Sequence, residues 1–504
     1  MRSLAYFGRL GMHAARKGSL KATPDGLDAL YGWLRKQRRA PSAKAAVYQA
    51  ERILLTEGPG YNVSCATRLL DYLNACGRRL IKGSPGQVRE KQAELERLLA
   101  SNRSAGQQQI TPLSIPLYAL LVDDLARRVP SARRMWRPDD SVDEEGLEAV
   151  APTNGLVELP SDSRLCVIGD LHGDASTARV IAHWLRRKFL KDEGKKKPPA
   201  RAVFLGDYVN NGLKSIEVLE EVLRLQRDFG DSVILLSGNH EFGETYATAL
   251  EEFFETHWGQ WNELSRTLSP EWKRPPGHYG HVRLDLVVRY GADAGEAVHR
   301  KFELWGRSLP LCAFHPGLGL FMSHSAGPET PAAGQLSRTS LQQAKGQALD
   351  IKKLVFDGYE AWKAECDTVH ARMVNNRNVT PATLDALKES VGADVFVVGH
   401  THYRSGDLDV EADNGLELRR VTDHKGGRLA TVCSSHPRSA DAGHYISREL
   451  EAQRREVFLG TARNEKPQPS RHCAAFACVA VFDDTPPTRG LIMPKNLLPL
   501  YQLQ

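Results

Sequence analysis

The stretch LCVIGDLHG, residues 165–173, joins a short apolar run to a glycine, a carboxylate and an imidazole. Such a run ending at Gly169 is typical of a buried strand. The pattern recurs in AVFLGD at 202–207, VILLSGNHE at 233–241 and VFVVGH at 395–400. Short buried strands that alternate with helix-like segments predict an α/β core. Open α/β sheets place their ligand-binding groups just beyond the strand ends, where these polar side chains stand.

The length of 504 residues predicts two domains, or one large domain with an appendage. Residues 1–150 are predicted to form a helical accessory region, because apolar residues recur there at helical spacing. Residues 151–504 are predicted to form the α/β domain, with an insertion at about 251–300. The tryptophans of that insertion either line a lid or specificity wall, or anchor the insertion to the core.

Composition excludes several functional classes. With 41% apolar and 25% charged residues the chain is typical of a soluble globular protein, and its apolar runs are too short to cross a bilayer. A net charge of +6, spread along the chain, does not indicate a dedicated nucleic-acid binder. Eight cysteines without a CxxC pair indicate neither a zinc ribbon nor a disulfide framework.

The cysteine content favours a reducing compartment, and we expect a cytoplasmic protein. The basic N-terminal segment 1–21 is a poor secretory signal, because arginines interrupt its apolar core. An organelle transit peptide or export as a bacterial effector remains open. The N-terminal region is a candidate for binding a partner.

Five blocks carry the candidate chemistry: GDLHG at 169–173, GDYVNNG at 206–212, GNHE at 238–241, SHSAGP at 323–328 and GHTH at 399–402. Each supplies an Asp, Asn or His, the ligand types that suit divalent manganese, iron or zinc. Asp170 and His172 alternate along an extended segment, so both can reach one ion. Asp207 has two oxygens and can bridge two ions. The second ion would then take its remaining ligands from three side chains, Asn239, His324 and His400.

A pair of metal ions about 3.5–4 Å apart can hold a phosphoryl oxygen and generate a bridging hydroxide for in-line attack. The sequence therefore predicts a metallophosphoesterase that binds two divalent ions, with manganese expected in preference to iron or zinc. His240 follows Asn239 directly, so it lies beside the metals while pointing elsewhere. It is the candidate general acid for the leaving oxygen.

Taken together, the five blocks resemble the calcineurin-like metallophosphoesterases, and most closely the PPP branch of serine/threonine phosphatases. The resemblance spans roughly residues 160–485. It implies an αββα sandwich, in which two mixed sheets flanked by helices hold the dinuclear site. MVNNRNVT at 373–380 resembles a family segment and places Arg377 as a phosphate-binding residue, suited to that role by its planar fork.

Two departures from the family pattern bear on activity. Asn210 and Asn211 stand where the PPP branch has an Asp and an Arg, groups that handle the proton and the phosphate. Weaker catalysis or a different substrate follows. His402 is an extra histidine that matches the GHxH of the wider superfamily. It is either a seventh ligand, on the first metal, or a residue outside the coordination sphere.

Three functions follow from these features. The first is hydrolysis of a phosphomonoester, with a phosphorylated protein side chain as the expected substrate. The second is a phosphodiesterase or dinucleoside polyphosphate hydrolase, favoured by Asn211 and His402. The third is a non-catalytic scaffold, against which the retention of all six expected ligands argues.

Overall fold

The structure is a computed structural model that describes residues 81, 83–100, 111–128, 155–191, 198–210, 212, 214–241, 281–290, 292–325, 327–328, 330–332, 334–344, 373–374, 380–400, 429–432, 434, 478–483 and 497–499. Of the predicted insertion at 251–300, the described part contains 281–290 and 292–300. The tryptophans of the insertion therefore lie outside the described residues. Most of the predicted helical region 1–150 also lies outside.

Ten strands in the described part form two five-stranded sheets. They are β1 Leu156–Glu158, β2 Arg164–Ile168, β3 Ala200–Phe204, β4 Val233–Leu235, β5 Cys312–His315, β6 Leu320–Ser323, β7 Val395–Val398, β8 Leu429–Thr431, β9 Cys478–Phe482 and β10 Leu497–Pro499. Sheet I has the order β1-β5-β6-β7-β8, and sheet II the order β10-β9-β2-β3-β4. Both sheets are mixed, since β5 and β6 are antiparallel in sheet I and β9 is antiparallel to β2 in sheet II.

Alternate residues of the central strands meet in one apolar cluster that both sheets share. Val167 of β2 enters it from sheet II, and Met322 of β6 and Val397 of β7 enter it from sheet I. Because side chains alternate along a strand, Cys166 and Ile168 lie on the other face of sheet II, where they are also buried. Burial on both faces explains the continuous apolar runs from which these strands were predicted.

The α-helices of the described part are α1 Pro85–Ala100, α2 Pro116–Arg128, α3 Ala175–Trp184, α4 Ser215–Phe229, α5 His281–Tyr290, α6 Ala292–Ser308, α7 Arg338–Gln343 and α8 Pro381–Val391. Helix α3 begins directly after the first polar block, where the Asp174 carboxylate caps it by accepting from the Thr177 N–H at 3.1 Å. Helix α4 packs against α3 and α2. Two mixed sheets flanked by helices confirm the predicted fold class.

The chain divides into two compact units. One comprises residues 1–115, 250–300 and 458–461, and the other 116–249, 301–457 and 462–504. Helix α2 thus belongs to the unit that holds both sheets, where Arg127 donates to the Gln226 carbonyl of α4 at 3.3 Å. The domain division at residue 150 stays a prediction, because 129–154 lie outside the described part. No helix among the described residues has the length and apolar character that crossing a membrane requires.

Candidate metal centre

The polar blocks follow strand ends that meet at one edge of each sheet. In sheet II, β2, β3 and β4 are parallel neighbours, and Asp170, Asp207 and Asn239 come just after them. In sheet I, β6 and β7 are parallel neighbours, and His324 and His400 follow them directly. All five side chains are buried. The topology therefore gathers residues separated by more than 200 positions in sequence.

Backbone strain is concentrated in these loops. The non-glycine residues with positive φ in the described part are His172 (44°), Asp207 (53°), Asn210 (66°) and His400 (61°), and every one belongs to a predicted block. Such conformations cost roughly 1–3 kcal/mol each and persist where the surroundings enforce them. Here the Asp207 carbonyl accepts from the His172 N–H at 2.8 Å, which ties the first two blocks together.

Two glycines allow the backbone to approach the carboxylates closely. A Cβ added at Gly238 would lie 2.3 Å from Oδ1 of Asp207. One added at Gly399 would lie 2.3 Å from Oδ1 of Asp170. No side chain fits at either position without displacing the carboxylate, so glycine is required where the backbone approaches these carboxylates closely.

The Asp207 carboxylate lies where imidazoles from both sheets converge. Its Oδ2 is 3.3 Å from Nε2 of His172 and 3.3 Å from Nε2 of His324. Burial opposes ionisation of this group, but His324, His240 and His172 hold the pKa of Asp207 well below its ordinary value. Asp207 is thus an ionised carboxylate with an imidazole nitrogen close to it from each of the two sheets.

A second group of atoms that could bind a metal ion surrounds Nε2 of His324. This nitrogen lies 2.9 Å from Oδ1 of Asn239 and 3.2 Å from Nδ1 of His400, and it is also close to Asp207. Burial alone would lower the pKa of His324, yet the carboxylates of Asp207 and Asp170 raise it to about 9. One proton on Nε2 can satisfy only one of these neighbours, whereas a divalent cation satisfies all of them together. The donor set therefore fits a metal ion.

Asp170 and His172 lie on the other side of Asp207. The Asp170 carboxylate accepts from the His400 N–H at 3.1 Å, and burial raises its pKa to about 6. Nδ1 of His172 lies 3.2 Å from the Val209 carbonyl, which can only accept. The ring proton of a neutral His172 is therefore on Nδ1, and the Nε2 lone pair faces Asp207 and Asp170 as a metal ligand requires.

His240 stands beside this group in a distinct environment. Its ring meets that of His172 edge to face, with 4.7 Å between the ring centroids, and its backbone N–H donates to Oδ1 of Asp207 at 3.0 Å. By distance alone His172, Asp207 and His240 could hold one ion, as could Asp207, His324 and His400. However, Nδ1 of His240 faces the amide nitrogen of Asn210 at 3.1 Å. The amide N–H donates to the Nδ1 lone pair, so the ring proton of a neutral His240 is on Nε2. Neither ring nitrogen then offers a lone pair to a metal ion.

Glu241 is a buried residue of the site to which the sequence analysis gave no role. Its Oε2 accepts from the backbone N–H groups of Asp207 at 2.8 Å and Gly238 at 3.0 Å, and its Oε1 accepts from Tyr208 at 2.9 Å. Burial and the nearby Asp207 raise the pKa of Glu241 to about 8, against the effect of these hydrogen bonds. Glu241 holds the loop that presents Asp207. Its position at the end of GNHE was the only sequence signal.

Three predicted site residues lie outside the described part: Asn211, Arg377 and His402. Their roles stay predictions. The structure places the other predicted residues close together, and their chemical roles are proposals developed below.

Residues 163–404 match the family model described as calcineurin-like phosphoesterase. A probable serine/threonine-protein phosphatase of Encephalitozoon cuniculi (strain GB-M1) is 24% identical over 311 residues, which cover 61% of this chain and 55% of that relative. The match thus spans about half of the relative's length.

Two solved structures also resemble the chain. A Saccharomyces cerevisiae protein serine/threonine phosphatase with similarity to human phosphatase PP5 has a TM-score of 0.34 at 15% identity, covering 64% of this chain and 85% of that one. The cold-active protein-tyrosine phosphatase of a psychrophilic Shewanella species has a TM-score of 0.29 at 16% identity, covering 50% and 70%.

Proposed function

The chain belongs to the calcineurin-like phosphoesterase family through residues 163–404, and on that premise we propose that it hydrolyses phosphomonoesters with two divalent metal ions. The observation that supports this most is the Asp207 carboxylate, which has an imidazole nitrogen at 3.3 Å from each of the two sheets. We assign Asp207 as the bridging ligand.

The remaining ligands divide between the two sides of Asp207. Asp170 and His172 would hold the first ion, and Asn239, His324 and His400 the second. Such ions supply Lewis acidity toward the phosphoryl group and lower the pKa of a bound water. Manganese is our first choice of metal, because the set mixes carboxylate, amide and imidazole donors without thiolate.

The chain's own residues would position the substrate and assist departure of the leaving oxygen. His240 is close to Asp207 but is held by Asn210, so we assign it to the leaving oxygen and not to a metal. Arg377 is proposed to bind the phosphoryl group through two hydrogen bonds from its planar guanidinium group. The proposed substrate is a phosphorylated protein.

Turnover of four kinds of substrate separates this proposal from its alternatives. The full chain with manganese would be assayed on p-nitrophenyl phosphate, on its bis ester, on phosphopeptides and on a dinucleoside polyphosphate. Preference for the bis ester or for a dinucleoside polyphosphate would favour a diesterase or polyphosphate hydrolase instead, and absence of turnover on all of them would favour a scaffold.

A matched pair of variants ties any activity to the site. Asp207→Asn removes the bridging charge, whereas Asp231→Asn makes the same change at an exposed carboxylate just before β4. We expect loss of turnover in the first variant and wild-type turnover in the second. Equal activity of the two variants would overturn the proposed role of Asp207.

A further inference from the structure

Helix α2 lies before the part of the chain that matches the family model, yet one of its buried side chains is connected by contacts to the proposed metal centre. The family match covers residues 163–404, and Asp124 of α2 is 2% exposed. Its Oδ2 accepts from Nε1 of Trp305 at 2.8 Å and from Nε of Arg128 at 2.7 Å. Because an indole nitrogen can only donate, Asp124 fixes the direction in which the Trp305 ring faces.

Trp305 packs against the residue that follows the proposed bridging ligand. Its side chain is fully buried, and its ring centroid lies 5.6 Å from that of Tyr208, at an interplanar angle of 56°. Aromatic pairs at this separation stabilise each other beyond the burial of their surfaces. The Tyr208 hydroxyl donates to the Leu236 carbonyl at 2.9 Å, just after β4. Tyr208 is therefore held at its ring by α6 and at its hydroxyl by the segment between β4 and Asn239.

The same end of α6 lies against Glu241, the second support of the Asp207 loop. A Cβ added at Gly306 would lie 3.0 Å from the Glu241 carbonyl oxygen and 3.4 Å from the Glu241 Cβ. The Glu241 carboxylate in turn accepts from the backbone N–H groups of Asp207 and Tyr208. Two consecutive residues of α6, Trp305 and Gly306, therefore adjoin the two residues that hold this loop.

The Asp207 loop requires such support because its backbone is strained. Asp207 has a positive φ of 53°, a conformation that a non-glycine residue keeps only where its surroundings enforce it. A carboxylate also binds a metal ion best when the residues around it hold it in the right place beforehand. Resting on the metal centre proposed above, we propose that Trp305 is a positioning residue for Asp207, and that Asp124 of helix α2 acts on the metal centre by orienting Trp305.

The test is the affinity of the full chain for manganese, measured by calorimetric titration of metal-free protein without substrate. Trp305→Phe removes the indole N–H and shortens the ring that reaches Tyr208. We expect its dissociation constant for manganese to rise about tenfold, the lower end of the range for groups that orient metal ligands. The matched control is Trp184→Phe, the same change at a buried tryptophan that stacks on Phe189 at the far end of α3. A general loss of packing affects both variants, whereas positioning of Asp207 predicts unchanged affinity in the control.

Two changes at Asp124 test how helix α2 acts. Oδ1 of Asp124 accepts no hydrogen bond from the described residues, since Trp305 and Arg128 both donate to Oδ2. Asp124→Asn can therefore keep both donors on one oxygen although the charge is lost, and we expect wild-type affinity for manganese. Asp124→Ala removes the acceptor, so its affinity should fall about as far as that of Trp305→Phe. Because both changes act through one ring, the double variant should bind manganese no more weakly than Trp305→Phe alone.

The contrary outcomes differ from those that test the hydrolase function. Wild-type affinity in Trp305→Phe, or an equal loss in Trp184→Phe, would overturn the positioning role. Asp124→Asn that binds manganese as weakly as Trp305→Phe would show that the charge matters and not the bond to the indole, and this comparison stands even if Asp124→Ala fails to fold. Wild-type protein that binds no manganese would refute the proposed metal centre and this inference with it. Binding without turnover of p-nitrophenyl phosphate would refute only the hydrolase, because the affinities of the variants would still decide the positioning role.

Discussion

Replacing Glu241 by Gln tests whether this residue holds the Asp207 loop in place. The wild-type carboxylate accepts three backbone N–H groups through two oxygens. A glutamine offers one acceptor oxygen, and its NH2 group must face the remaining donors. The better orientation keeps the N–H groups of Asp207 and Gly238 and sets the NH2 group against the N–H of Tyr208.

The expected cost is one buried hydrogen bond together with a buried donor left unsatisfied, about 2–4 kcal/mol in all. At about 2 °C per kcal/mol for a large domain, the midpoint of thermal unfolding should fall by about 4–8 °C. Metal affinity should also fall about tenfold or more, as it does when partners that orient metal ligands are removed. Calorimetry and metal titration of the full chain measure the two effects.

The matched control is Glu220→Gln on helix α4, where the carboxylate pairs with Arg224 at 2.7 Å one helical turn away. An i,i+4 pair of this kind contributes about 0.3–0.5 kcal/mol, so the midpoint should move by about 1 °C or less. If Glu241→Gln behaves like this control in both measurements, the proposed role of Glu241 is refuted.

Three further changes have separate readouts. His240→Ala should lower turnover of p-nitrophenyl phosphate while metal content by elemental analysis is retained, and His183→Ala on an exposed helix face is its control; loss of one ion would make His240 a ligand. Arg377→Ala should raise KM about tenfold or more, the loss of a charge-assisted contact of roughly 1.5–3 kcal/mol, and unchanged KM and kcat would count against a phosphate clamp. Asp124→Ala should destabilise the protein by roughly 3 kcal/mol or more, because Oδ2 of this buried carboxylate pairs with Arg128 Nε at 2.7 Å and accepts from Trp305 Nε1 at 2.8 Å; an unchanged unfolding midpoint would contradict this.

The sheet edges that carry the site could be predicted from the sequence, because the residues that specify each edge lie within a few positions of one another. Each of β2, β3, β4 and β7 contains a continuous apolar run and is followed, within a few residues, by a glycine and a polar residue. Burial on both faces requires the run, and close approach of the backbone to a carboxylate requires the glycine. Both requirements act within a few residues, so they leave a readable pattern.

Other features depend on contacts distant in sequence. Strand β9 pairs antiparallel with β2 across more than 300 residues, and nothing within its own sequence specifies that partner. The contact between Asn210 and His240 likewise arises only when the loops after β3 and β4 come together. The sequence indicated that Asn210 departs from the family pattern, but which amide atom meets which ring nitrogen required the folded structure.

Metal stoichiometry tests the central claim most directly, because the proposed chemistry depends on Asp207 being shared by two ions. Elemental analysis of the purified full chain, after incubation with manganese and removal of free metal, would be compared between wild type, Asp207→Asn and Asp231→Asn. We expect about two ions per chain in wild type and in Asp231→Asn, and loss of at least one ion in Asp207→Asn. A wild-type chain that retains no divalent metal, or an Asp207→Asn chain that retains as much as wild type, would contradict the proposed dinuclear centre.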